Sequence, residues 1–191
     1  AGHWRELLRD WPVPLRFVPP AETTAAMQEL AALVAARQAQ PERSPPAVLV
    51  LVEHLARFRD LRKGEDDFSL GLSSFGAGGE KPKSAGQLFA DLLARGPEAG
   101  VHLLIWADTY SNLDRWLSRQ SLREIEQRIA FQMNPNDSSS YIDTPAAGRL
   151  GPHRALLYRE ESGTPTKFRP YGLPEPRWLE EFRHKFQPVQ P

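Results

Sequence analysis

The stretch PPAVLVLVEHLARFRDLR, residues 45–62, decides how the rest of the chain is read. Its centre, AVLVLV at 47–52, is a continuous apolar run rich in valine, where a half-buried strand would alternate with polar residues. That is the pattern of a central parallel strand covered on both faces. The polar exit, Glu53 and His54, then stands at the carboxyl end of the strand. A second run of the same kind, VHLLIWA at 101–107, ends on Asp108.

Working outward, amphipathic segments flank both runs. Residues 22–37 are alanine-rich, with Met27, Leu30, Leu33 and Val34 at helical spacing, and residues 40–46 break the pattern. Ser84 and Gln87 form a capping-box pattern for a helix that buries Leu88, Phe89, Leu92 and Leu93 and closes at Gly96. Residues 112–118 and 121–127 read as short helices, the second with a Ser121–Glu124 box. Residues 128–133 are a third strand, and 137–143 and 145–150 are helical turns. Residues 155–158 and 167–169 form the arms of a hairpin turning at 160–164, and 176–186 a closing helix. At the amino end, 2–10 reads as a short helix with Trp4, Leu7 and Leu8 on one side, and 15–18 as a short strand. Apolar strands alternating with helices predict an α/β domain with a mostly parallel sheet spanning 1–191. Residues 63–83 are expected to be a flexible polar loop and 187–191 a tail.

Composition narrows the chemistry. The 191 residues carry 24 basic and 24 acidic side chains, so no global charge excess argues for nucleic acid. With no cysteine, disulfide scaffolds, thiolate metal sites and cysteine nucleophiles are excluded. The five histidines lack the i, i+4 pairing of a helical zinc site. No apolar run approaches membrane-spanning length, and AGHWRELLRD has neither the basic nor the apolar region of a signal peptide. The expectation is a cytoplasmic protein without a membrane segment.

Three stretches, in order, resemble the second half of an FtsK/SpoIIIE-type motor ATPase of RecA-like fold. Residues 45–62 stand where that family has an apolar strand ending in Asp-Glu, its Walker B element. ARGPEAGVHLLIWADT, 94–109, is similar to the strand leading to its polar sensor position. QRIAFQMNPNDSSSYIDTPAAGRLGPHRALLY, 127–158, resembles the Arg-Ile-Ala-Phe … Asp-Ser … Leu-Gly signature and is the most specific of the three. The resemblance implies a three-layer α/β sandwich with ATP and Mg²⁺ as cofactors. It implies ring-forming homo-oligomers that move double-stranded DNA, or proteins in secretion-type relatives. It places Glu53 at the magnesium-side carboxylate, His54 at the catalytic carboxylate and Asp108 at the sensor. Arg128 would serve a nucleotide, and Arg95 and Arg128 would reach a neighbouring subunit; a strand-edge salt bridge is the equal, plainer reading of Arg128.

Two departures qualify this. Histidine is a poor substitute for a carboxylate base beside Mg²⁺, and no GxxxxGK[ST] phosphate loop occurs anywhere. The opening AGHWRELL reads as the inside of an α/β pattern, so the expectation is a half-domain whose phosphate loop lies upstream. Alternatives are a catalytically inactive RecA-like interaction domain of a larger ATPase or secretion-type translocase, and an unrelated α/β protein.

Plainer readings stand beside the sharp ones. His102, inside an apolar strand, is expected to be a hydrogen-bonded core residue. Asp137 and Ser138 read as a helix N-cap. Gly76–Gly79 with Lys81 and Lys83, and the Asp66–Asp67 pair, read as solvated loop. Arg57, Arg59, Arg62 and Lys63 are neutralised by Asp60, Glu65, Asp66 and Asp67.

Overall fold

A computed structural model describes residues 8, 11, 13–40, 45–63 and 82–186. The expected helix at 2–10, most of the loop at 63–83 with Asp66, Asp67 and Gly76–Gly79, and the tail at 187–191 lie outside the described residues. The chain divides into two compact units, Val18–Phe168 and a smaller one formed by Ala1–Phe17 with Arg169–Pro191. The larger is mixed α/β, with a two-stranded parallel sheet and a three-stranded antiparallel sheet.

The parallel pair is β1 (Val48–Val52) and β2 (Val101–Ile105), in register from Val48↔Val101 to Val52↔Ile105. Two helices, α1 (Thr23–Gln38) and α2 (Ala85–Arg95), share one core with this sheet. Met27 and Val34 come from α1, Phe89, Leu92 and Leu93 from α2, and Val52 and Val101 from the strands. The α2 cap forms as the sequence predicts: Gln87 N–H donates to Ser84 Oγ at 3.2 Å, and Ser84 N–H to Gln87 Oε1 at 2.9 Å. Gly96 follows the helix, and the position takes glycine because a Cβ there would meet the Leu92 and Val101 carbonyl oxygens at 2.4 and 2.7 Å.

The expectation of a strand buried on both faces is corrected. Val48, Val50 and Val52 turn to the helices, while Leu49 and Leu51 are 69% and 46% exposed. On β2 the same alternation exposes His102 and Leu104. One helical layer covers one face, so His102 is a solvent-facing residue and not a core histidine.

Two short helices follow β2, α3 (Tyr110–Trp116) and α4 (Arg119–Arg123). The α4 cap is Ser118, which accepts from Ser121 N–H at 3.0 Å, and not Ser121 as expected. The third strand, β3 (Gln127–Ala130), does not join the parallel sheet; it pairs antiparallel with β4 (Ala155–Arg159). The expected hairpin is β4 with β5 (Thr164–Phe168), turning through Gly163 at φ +61°. Between β3 and β4 lies α5 (Pro135–Ile142), capped by Asn134 and not by Asp137 or Ser138. Proline at the first helical position fixes that start. Ser138 is fully buried instead, donating to the Thr144 carbonyl and accepting from Ala147 N–H.

In the smaller unit, α6 (Pro176–Lys185) lines Trp178, Phe182 and Phe186 into an aromatic ladder that also takes Trp11. Residues 15–18 are irregular, not the expected strand, as the prolines at 14, 19 and 20 remove ladder donors. Among the described residues no helix is long and apolar enough to cross a membrane.

Candidate functional site

The parallel register carries the exits of β1 and β2 to the same edge of the sheet. Open α/β sheets bind ligands outside the carboxyl ends of their strands, which makes this edge the first place to look. The ladder continues past the strands: Trp106 N–H donates to the Val52 carbonyl, and Leu55 N–H to the Trp106 carbonyl, both at 2.9 Å. Glu53 and His54 are therefore held in a tight excursion between two fixed points, Val52 and the fully buried Leu55. The excursion puts His54 at φ 55°, in the left-handed region that non-glycine residues enter at a cost. Its imidazole lies against the Trp106 indole, ring centroids 4.0 Å apart and 38° inclined. Both Glu53 and His54 are half-buried.

Two residues beyond Trp106, Asp108 is exposed and held in place. Its Oδ1 accepts from Asn112 Nδ2 at 2.7 Å and from Thr109 N–H at 3.0 Å. Thr109 in turn caps α3 by accepting from Asn112 N–H at 3.1 Å. The Asn112 bond, more than anything else, holds the Asp108 carboxyl below the usual aspartate range, and the charge of His54 adds to it. The edge thus presents two carboxylates, an imidazole and an indole. Among the described residues, no group of three or more His, Asp or Glu side chains could hold a metal ion by itself.

The arginines stand elsewhere. Arg128 is buried in the antiparallel sheet, 4% exposed, with Nη1 donating to the Tyr141 carbonyl at 2.7 Å. Its guanidinium ion-pairs with Glu160 and lies 4.8 Å over the Tyr158 ring. Its partners all belong to α5, β4 and the residue after it, which gives it the role of a strand salt bridge. Tyr158 donates to Asp143 at 2.9 Å, and that bond raises its pKa. Arg95 closes α2 on the side that feeds the amino end of β2, opposite Glu53 and Asp108. It pairs with Asp91 at 3.2 Å, as does Lys83 at 2.6 Å. Of the basic run after β1, Lys63 reaches the Leu117 carbonyl and Asp114.

Sequence reasoning therefore collects Glu53, His54 and Asp108 at one edge; of the two readings it offers for Arg128 the structure has the strand salt bridge. It missed Trp106 and Asn112. The i, i+4 spacing of Asp108 and Asn112 at a helix start is the signal that points to the second. No protein-family model, curated protein or solved structure matches this chain.

Proposed function

We propose that the chain is a module of a ring-forming, ATP-driven translocase of the FtsK/SpoIIIE type that moves double-stranded DNA. The observation that carries this reading is the meeting of Glu53, His54 and Asp108 at the carboxyl edge of two adjacent parallel strands. In that reading the pair belongs to a RecA-like three-layer sheet, with the nucleotide at this edge. Magnesium commonly binds through one or two carboxylates, waters and phosphate oxygens, so a lone Glu53 suits a water-mediated contact to nucleotide-bound Mg²⁺ and nothing tighter. Asp108, its geometry fixed by Asn112 and Thr109, is suited to orient a water or a nucleotide hydroxyl. His54 supplies no carboxylate base, and the chain has no phosphate loop, so by itself it is not expected to turn over ATP.

A second reading, a catalytically inactive interaction domain of a larger ATPase, is favoured by the packing of His54 on Trp106, which gives that side chain a structural occupation. Calorimetric titration of the chain with ATP and Mg²⁺ separates the two. Heat of binding that disappears in Asp108→Asn and Glu53→Gln supports the nucleotide edge. Absence of binding leaves the interaction domain.

A further inference from the structure

Both faces of the parallel pair β1–β2 are apolar, and helices cover only one of them. Backbone alternation turns Val48, Val50 and Val52 to the helices and Leu49 and Leu51 away from them. On β2, Val101, Leu103 and Ile105 go with the valines, while His102, Leu104 and Trp106 face outward. The register makes the outward residues one surface. Leu49 stands beside His102 and Leu51 beside Leu104, and the Trp106 N–H bond to the Val52 carbonyl carries the row one step further. All five are exposed. A flat apolar patch of roughly a few hundred Å² on a parallel sheet is an unfinished layer, because such sheets have both faces covered in nearly all folds.

The polar residues of this surface select what finishes it. The outward row on β2 starts at His102 and, two residues past Trp106, reaches the exposed Asp108. Asp108 Oδ1 takes Asn112 and Thr109, and a carboxylate accepts further donors beyond two. An imidazole N–H thus stands at the amino end of the row and a carboxylate at its carboxyl end, with leucines and an indole between. Such a surface is complementary to itself when turned end for end. A two-fold axis lying across the strands at the Leu51–Leu104 row runs two copies of the sheet antiparallel, face to face. It sets Leu51 on Leu51 and Leu104 on Leu104, and carries His102 of one copy to Trp106 of the other, with Asp108 one outward position beyond. An axis along the strands would put like ends together and leave each His102 over Leu49.

We propose that this face joins two copies of the chain in a two-fold, sheet-on-sheet dimer. The two patches together bury on the order of 1,000 Å², the lower limit for a specific interface, so the dissociation constant is expected on the order of 10 μM. A two-fold contact closes on a pair, which distinguishes it from a contact that would build a ring. The dimer uses the face of the sheet and does not rest on a nucleotide at its edge; it gives the interaction-domain reading a partner.

The test is sedimentation velocity of the full chain without nucleotide, from roughly 1 to 200 μM, which brackets that constant. The expected result is a shift from monomer to dimer across the range. Leu51→Lys and Leu104→Lys each set two ammonium groups against one another on the axis, and raise the dissociation constant more than about tenfold. His102→Glu brings a carboxylate toward Asp108 of the other copy and weakens the dimer too. Ile129→Lys, at an exposed position of the antiparallel sheet, leaves it unchanged. Unaltered melting temperatures show that the variants fold. A monomer at the highest concentration overturns the proposal, as does association that both leucine variants leave intact. Growth past the dimer means unspecific clustering and overturns it as well, and a His102→Glu variant that dimerises like the wild type overturns the antiparallel axis. Because no nucleotide is present, failure here leaves the ATP titration standing, and failure of that titration leaves this result standing.

Discussion

The two sheets of the larger unit each rest on an apolar core, and they differ in what is added to it. The parallel pair β1–β2 owes its place to a layer outside it: α1 and α2 cover one face, and Leu49, Leu51, Leu104 and Trp106 are left about half or more exposed on the other. The antiparallel sheet rests on a smaller apolar core of its own, Ala130, Ile142, Ala147, Leu150, Leu156 and Tyr158, and adds polar ties to it: the Arg128–Glu160 pair, the Tyr158–Asp143 bond and, in the segment between β3 and β4, Ser138 bridging Thr144 to Ala147. Parallel strands rarely stand without helices on both faces. The region with the catalytic-looking residues therefore relies on apolar packing on one side, and the region that adds a polar network has a structural role. A buried, charged, ion-paired residue such as Arg128 is thus a poorer guide to chemistry here than the exposed Asp108.

The largest expected effect breaks the apolar side of that contrast. Phe89, 1% exposed, lies at the centre of the core shared by α1, α2, β1 and β2. Phe89→Ala is expected to cost about 4 kcal/mol in urea unfolding, from lost transfer energy and the cavity left behind. A loss under about 1 kcal/mol would mean that this layer does not hold the parallel pair.

The next effect tests the polar side and has a direction. Glu160 is partly exposed while Arg128 is buried, so the two halves of the pair are not equivalent. Glu160→Ala strands a buried guanidinium with the Tyr141 carbonyl and the Tyr158 ring as its remaining partners, and is expected to cost about 3 kcal/mol. Arg128→Met leaves a carboxylate that can turn to water, and fills the space with apolar volume; about 1 kcal/mol is expected. Equal losses in the two variants, measured by the same unfolding experiment, would remove the asymmetry on which the structural role of Arg128 is argued.

How much of this could be seen beforehand follows from the range of each interaction. The Ser84 box, the β4–β5 hairpin and both parallel strands are local patterns, and the sequence states them directly. The bare face of β1 could not be seen, because VLVLV alternates valine and leucine and both are apolar; burial alternates where hydrophobicity does not. Ser118 and Ser121 are equally good caps by type, and only the observed helix start selects the first. Asn134 was available from its following proline, a stronger signal than the Asp137–Ser138 pair preferred in its place. Between a strand salt bridge and a nucleotide or subunit contact for Arg128 the sequence was even, because Glu160 lies far along the chain and meets it only through the β3–β4 register, with Gln127 opposite Arg159. At the candidate site, the carboxylates were legible as strand exits. Trp106 was not, since its place in an apolar run disguised its exposure.

The smallest expected effect sharpens the comparison at the site itself. Asp108 is exposed, so its depressed pKa comes from hydrogen bonds to the ionised form, led by Asn112. Asn112→Ala removes that donor and leaves the Thr109 amide. The Asp108 carboxyl, followed by carbon-detected NMR titration, should move up toward the ordinary aspartate value of 3.8. The sign of the linked stability follows. A folded-state pKa below the unfolded one stabilises the fold above the unfolded value, and that contribution is lost as pH falls through the folded value. The wild type should therefore lose this small stabilisation only on acidification below pH 3.8, while Asn112→Ala has little left to lose there. At neutral pH the two should differ chiefly in the α3 cap region. If the titration does not move, something other than Asn112 fixes the carboxylate, and the edge loses its best argument for being a built site rather than a solvated strand end.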